Sequence, residues 1–240
     1  FPGVRRRRPP LFLEPGGPLF FPNPEAHDDE GLVAVGGDLS PARLLLAYES
    51  GIFPWYDEGM PPLWWSPNPR AVIEPEHLHV SRSTKRVIRA SGFELSFNRA
   101  FDAVMRACAD REEGTWILPE MLAAYSELHR LGHAHSFEVW ADGELVGGLY
   151  GVQRGGLFAA ESMFHRATNA SKLALIAAVR AVVARGVRLF DPQLLTPHLE
   201  SLGACAIPRR AYLERLAPAR GLRVDLSGIE PLEFMHEIQS

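Results

Sequence analysis

Residues 51–70 hold three of the chain's five tryptophans (Trp55, Trp64 and Trp65) together with five prolines. Proline has no backbone donor and fixes φ, so neither a regular helix nor a central strand is expected across this block. Large apolar rings are therefore concentrated on backbone that must be irregular. Irregular segments lie mostly at the surface, where binding residues are over-represented. Two readings follow. The block is a plug packed against the neighbouring domain, or its rigid aromatics form a stacking surface for a base, an adenosine or an aromatic side chain.

At 240 residues the chain suits one large domain, or a small domain joined to a larger one. A hydrophobic content of 46% with 22% charged residues is ordinary for a soluble globular protein. No apolar run approaches the length of about 18 residues that marks a membrane span. The segment from Phe1 to Pro10 lacks the apolar core of a secretory signal. Two cysteines, Cys108 and Cys205, give no disulfide framework and fit a reducing compartment. A cytoplasmic location is expected.

The net charge of −4 does not advertise a nucleic-acid binder, so any positive site must be local. It is found at residues 81–91, which carry Arg82, Lys85, Arg86 and Arg89 and no acid. Spacings of three and four residues put these side chains on one helix face, with Ser81 or Ser83 as N-cap. Such a stripe can follow a phosphate backbone, or be no more than a solvated face. The run Arg5 to Arg8 is less informative, since terminal basic runs are usually disordered.

Periodicity predicts helices over 98–110 and 119–131, then a strand from His135 to Trp140. Asp142-Gly143 supplies a hairpin turn. Strands are expected at Leu145–Val152, Leu157–Ala160 and Val187–Phe190, with an alanine-rich helix at Ser171–Arg185 closed by Gly186. Helices are expected again at 197–202 and 208–216. The order implies an α/β (α+β) fold. Its parts are a small Pro/Gly-rich N-terminal domain over 1–68 and a larger domain over 69–240.

Polar residues cluster where these strands end. Glu161 leaves the strand Leu157–Ala160, and Asp191 and Gln193 leave Val187–Phe190. In α/β sheets the crevice beyond strand C-termini is the usual ligand site. Paired carboxylates there can bind an amine as ammonium and take its proton, or simply cap helices and pair with arginine. His129, His133 and His135 mimic a metal spacing, but no neighbouring Cys or acid completes a set, so no metal is expected. Cys205, in Gly203-Ala204-Cys205-Ala206-Ile207, reads as packing rather than as a nucleophile.

The order of elements resembles the N-acetyltransferase superfamily, whose members cradle coenzyme A on a glycine-rich turn. Here the corresponding stretch, His165 to Lys172, has no glycine. A second resemblance is far more detailed. Gly36-Gly37-Asp38-Leu39-Ser40-Pro41, Gly51-Ile52-Phe53-Pro54-Trp55, Trp64-Trp65-Ser66-Pro67-Asn68-Pro69-Arg70 and Asp110-Arg111-Glu112-Glu113-Gly114-Thr115-Trp116-Ile117 occur in order. Gly132-His133-Ala134-His135-Ser136, Glu161-Ser162-Met163-Phe164 and Ser201-Leu202-Gly203-Ala204 follow. Together they closely resemble the bacterial leucyl/phenylalanyl-tRNA–protein transferases.

That resemblance implies transfer of Leu, Phe or, less efficiently, Met from aminoacyl-tRNA to the N-terminal Arg or Lys of a protein, generating a degradation signal. It implies a GNAT-like catalytic domain, no cofactor, no metal and, we expect, a monomer. By position, Asp191 with Gln193 would orient the attacking amine and assist its deprotonation. The tRNA's terminal ribose hydroxyl is an alternative proton shuttle. Glu161 would hold the ammonium of the transferred amino acid or align the acceptor. Trp55 and Trp116 would flank the terminal adenosine, with Leu149, Phe158, Met163 and Phe164 forming the side-chain pocket. Arg70, Arg82, Lys85 and Arg86 would hold the acceptor stem. The family commonly reads Val-Leu-Asn-Asp-His where this chain has Leu194-Leu195-Thr196-Pro197-His198, placing a hydroxyl where an amide is usual.

Overall fold

The Pro/Trp block does form strands, but only where its prolines permit. In the computed structural model, which describes residues 8–110 and 114–230, Leu63–Trp65 is an interior strand of three residues without proline. Pro54 is tolerated in Phe53–Pro54 because that strand lies at the sheet edge, where no donor is required of it. The expectation that no central strand crosses the block is thus corrected. Pro61-Pro62 and Pro67 bound the short strand rather than prevent it.

These strands, β3 (Phe53–Pro54) and β4 (Leu63–Trp65), join β1 (Leu11–Leu13) and β2 (Leu32–Gly36) in a four-stranded sheet of order β1-β2-β4-β3. Helix α1 (Pro41–Glu49) follows β2, with Ser40 as N-cap and proline in its first turn. The remaining strands are β5 (Arg70–Ile73), β6 (Glu94–Phe97), β7 (Ala134–Ala141), β8 (Glu144–Arg154), β9 (Leu157–His165), β10 (Leu189–Gln193) and β11 (Ala204–Ile207). They build a seven-stranded sheet of order β11-β5-β10-β9-β8-β7-β6. Within it only β9 and β10 run parallel, and they are joined by the crossover helix α5 (Ala170–Ala184).

Helices cover both faces of this sheet. On one side α1, α3 (Phe101–Ala109), α4 (Pro119–Arg130) and α7 (Arg209–Ala219) share a core with the small sheet. On the other lie α5, α2 (Arg82–Ala90) and the short α6 (Pro197–Glu200). Trp64 is fully buried in the first core, its ring edge-on to Phe21 and its Nε1 donating to the Gly36 carbonyl at 2.8 Å. Buried Arg209 donates to the carbonyls of His27, Asp28 and Ser66, tying α7 to the small sheet's loops.

The hairpin at Asp142-Gly143 has φ of 50° and 81° at its two central residues, the left-handed pair that suits strand twist. Several expected elements are displaced. Strand β9 runs on to His165 and β10 to Gln193, so Glu161, Asp191 and Gln193 sit inside strands rather than after them. The segment around Cys205 is the edge strand β11, and Cys205 is exposed rather than packed. Ser81 accepts the Thr84 N–H at 3.1 Å and starts α2 as expected. Arg5 to Arg7 and Arg111 to Glu113 lie outside the described residues.

Candidate active site

The sheet splits where its two parallel strands part. Pairing between β9 and β10 ends at Ala159–Asp191, after which β9 follows β8 alone and β10 turns toward β5 through an irregularity between Phe190 and Gln193. Gln193 stands in the left-handed region at φ 67°, which lets its backbone N–H turn back to Asp191 Oδ1 at 2.9 Å. Pro192 leaves no donor at the point of divergence. A cavity of about 390 Å³ opens in the split.

Its walls come from both faces of the sheet. Phe53, Pro54, Trp55 and Trp116 close one side, and Leu149, Met163, Leu175 and Leu199 the other. Glu161 and Gln193 supply polar groups between them. Trp55 is held by its backbone, with its N–H on the Leu63 carbonyl at 2.9 Å and its own carbonyl accepting Trp65 Nε1 at 2.6 Å. The residue is left 44% exposed at the rim.

The two carboxylates differ in what they can still bind. Asp191 is fully buried and receives four donors: Arg70 Nε (2.9 Å) and the Gln193 N–H (2.9 Å) on Oδ1, Arg70 Nη2 (2.7 Å) and Tyr212 hydroxyl (2.7 Å) on Oδ2. A carboxylate has about four lone-pair positions, so all are taken. Arg70 lies between the rings of Phe53 and Tyr212, 4.9 and 4.5 Å from their centroids, and its Nη1 donates to the Gly51 carbonyl at 3.1 Å. Gly51 has φ 74°, and a Cβ there would meet Leu213 Cδ2 at 2.7 Å. Only glycine lets the loop approach α7 closely enough to offer that carbonyl.

Glu161 is different. Its Oε1 accepts Gln193 Nε2 at 2.7 Å, while Oε2 has a long 3.5 Å contact from the Tyr125 hydroxyl. Tyr125 and Tyr48 hydroxyls lie 2.5 Å apart, and both act on this carboxyl. Burial pushes Glu161 up to about 7, with Asp191 adding to the rise and Tyr48, Gln193 and Arg70 opposing it. With its Nε2 donating to Glu161, Gln193 keeps its Oε1 for another donor.

The sequence-predicted residues therefore divide. Glu161, Gln193, Trp55, Trp116, Leu149 and Met163 surround one cavity. Asp191 does not reach it, since Arg70, Tyr212 and Gln193 enclose its oxygens; its expected contact with the amine is revised. Arg70 is 1% exposed and bound to Asp191, so it cannot hold an RNA phosphate as expected. Phe158 is fully buried beneath the floor, stacked on Phe190. Phe164 lines a neighbouring cavity instead. Arg82, Arg86 and Arg89 are exposed and Lys85 half-buried on α2, whose inner face buries Thr84 and Ile88.

Residues missed in the sequence include Leu175 and Leu199, and the tyrosines Tyr48, Tyr125 and Tyr212; Thr196, noted there as a hydroxyl in place of an amide, does line the cavity. Thr196 uses its hydroxyl to accept the Leu199 N–H at 3.2 Å, capping α6. Two of the three histidines have structural partners: His129 stacks on Phe101 and bonds the Ala134 carbonyl, while His135 stacks on Phe97 and bonds Asn98. Among the described residues no helix is long and apolar enough to cross a membrane.

Known proteins with similar sequences agree with the motif resemblance. A protein of Klebsiella pneumoniae (strain 342) named leucyl/phenylalanyl-tRNA–protein transferase is 55% identical over 209 residues, spanning 86% of this chain and 89% of that one. Its namesake from Shigella sonnei (strain Ss046) is 56% identical over 205 residues, or 84% and 88% of the two chains. Among solved structures, L-PGS from Bacillus licheniformis matches 68% of this chain and 53% of its own at 12% identity, with a TM-score of 0.40. The aminoglycoside N-acetyltransferase AAC(6')-Iy matches 56% and 91% at 15% identity, with a TM-score of 0.32. Residues 72–217 match the family described as leucyl/phenylalanyl-tRNA protein transferase, and residues 37–68 match that family's N-terminal domain. With both parts matched in order and relatives this similar across most of its length, the chain belongs to the leucyl/phenylalanyl-tRNA–protein transferase family.

Proposed function

We propose that this protein transfers Leu or Phe, and Met less efficiently, from aminoacyl-tRNA to the N-terminal Arg or Lys of an acceptor protein. It acts in the cytoplasm as a monomer, with a domain boundary near residue 68, and needs neither cofactor nor metal. The observation that supports this best is the cavity itself: an apolar chamber beside two tryptophans, holding one carboxyl group with a lone pair to spare.

The donor ester is already activated, so aminolysis to a peptide is downhill. Trp55 and Trp116 flank the terminal adenosine, and the amino-acid side chain points toward Leu149, Met163 and Leu175. Such a pocket separates side chains differing by one methylene by only about 1–3 kcal/mol, which is why Met leaks in. The acceptor amine, with an ordinary pKa of about 7.7–8.0, is partly neutral at pH 7. Gln193 Oε1 accepts one of its N–H bonds and aims the nitrogen at the ester carbon. As the C–N bond forms, the amine gives a proton to Glu161 Oε2. As the C–O bond breaks, the ribose oxygen takes one back, so the carboxyl ends as it began. Asp191 fixes Gln193 rather than touching substrate.

The direct experiment supplies radiolabelled Leu-tRNA and a protein beginning with Arg. Label is expected at the acceptor N-terminus without ATP, and none when that N-terminus is acetylated. Transfer supported only by acetyl-coenzyme A would refute the reading. The α2 stripe supplies the RNA contacts, so charge reversal at Arg82 and Lys85 should weaken tRNA binding and flatten its dependence on salt. Unchanged affinity would make that stripe a solvated face.

A further inference from the structure

A second cavity, of about 500 Å³, lies beside the first. Asp110, Phe164, His165, Arg166, Ser171 and His198 line it, and Met163 is shared with the donor cavity. Three elements carry both. Along β9 the lining moves from Glu161 to His165, along α5 from Leu175 back one turn to Ser171, and in α6 from Leu199 to His198. One turn of helix is about 5.4 Å, so the two chambers are consecutive stations along one groove.

The chemistry changes between them. The donor cavity is mostly apolar, whereas the second gathers Arg166, His165 and His198, with Lys172 close enough to depress His198 further after burial has done so. It also meets the start of α5, where Asn169 stands at φ 67° and no side chain caps the helix, so the positive end of its dipole faces the same space. Phe164 offers a ring, with the Arg166 guanidinium 5.6 Å from its centroid. Asp110 supplies the lining's carboxylate. A ring for stacking, cations for a phosphate and an acceptor for a base amine are the components of a nucleotide site.

Resting on the donor reading above, we propose that this cavity holds the nucleotide preceding the terminal adenosine of the tRNA. Arg166, Lys172 and the α5 N-terminus take its phosphate, Phe164 stacks its base, and Asp110 accepts the amino group of a cytosine. The reacting end would thus be gripped by two successive nucleotides, independently of the α2 stripe.

Synthetic donors of one and two nucleotides test this. Leucyl-adenosine and leucyl-cytidylyl-adenosine are compared by kcat/KM with an Arg-initiated peptide, in wild type and in Arg166→Ala/Lys172→Ala. Wild type should use the dinucleotide donor about tenfold better, the effect of one stacked base with its phosphate. In the double variant the ratio between the two donors should fall to about twofold or less, with an unchanged melting temperature. Equal use of both donors by wild type would overturn the site, as would a ratio that survives the double substitution. If instead no donor works, full Leu-tRNA included, it is the transferase reading that fails.

Discussion

Replacing Glu161 with glutamine should lower turnover by about two to four orders of magnitude, the usual contribution of a positioned general base. The substitution keeps the size of the neutral carboxyl and an oxygen for Gln193, so donor KM should change little, as should the melting temperature at pH values where the wild-type carboxyl is still protonated. The pH profile identifies the role. Wild-type activity should rise through about pH 7 as the buried carboxyl ionises, and again toward 8 as the acceptor amine becomes neutral. In Glu161→Gln only the second rise should remain. Stability gives an independent sign. The folded carboxyl holds its proton to about 7 against an ordinary 4.5, so the native state binds more protons between those values. Stability is therefore lost as pH rises across that window, and the variant should lose this dependence. A Glu161→Gln enzyme within a few-fold of wild type would move proton transfer to the ribose hydroxyl of the tRNA.

Much of this site was legible in the sequence. Glu161, Trp55 and Trp116 could be named because they fall in the family's motifs, and Gln193 because it follows the strand Val187–Phe190. What could not be read was which carboxylate faces substrate. Asp191 and Glu161 look alike as acids near strand ends. Their difference arises from residues distant in sequence: Arg70 and Tyr212 saturate one, while Tyr48 and Tyr125 only brush the other. Arg70 shows the same limit. The family resemblance assigned it to the acceptor stem, yet its position on β5 directs it inward to Asp191 on the adjacent strand. The strand ends were misplaced because β9 and β10 extend past the point where they pair, and a short-range pattern does not register a split sheet. Pocket residues Leu175 and Leu199 were hidden among ordinary helical apolar positions.

Removing the Arg70 guanidinium should produce the largest loss of stability at this site. Asp191 is fully buried, and Arg70 supplies two of its four hydrogen bonds and its counter-charge. Burial works against the charge on Arg70, but neighbouring Asp191 more than offsets this and leaves its proton held more tightly than usual. Arg70→Met keeps the stem between Phe53 and Tyr212 but strands the carboxylate. Stranding one partner of a buried pair costs about 3–5 kcal/mol, which for a chain of this size lowers the melting temperature by about 6–20 °C. The second change Asp191→Asn removes the stranded charge while retaining an oxygen for Tyr212, so Arg70→Met/Asp191→Asn should recover much of that loss. Activity separates a scaffold from a catalyst. If Asp191 only holds β10 and Gln193 in place, the double variant should regain turnover in step with its melting temperature, unlike Glu161→Gln, which stays folded and slow. A double variant that recovers stability yet remains inactive by more than about a hundredfold would return Asp191 to the chemistry. A single Arg70→Met variant as stable as wild type would show that the ion pair does not hold β10 to β5.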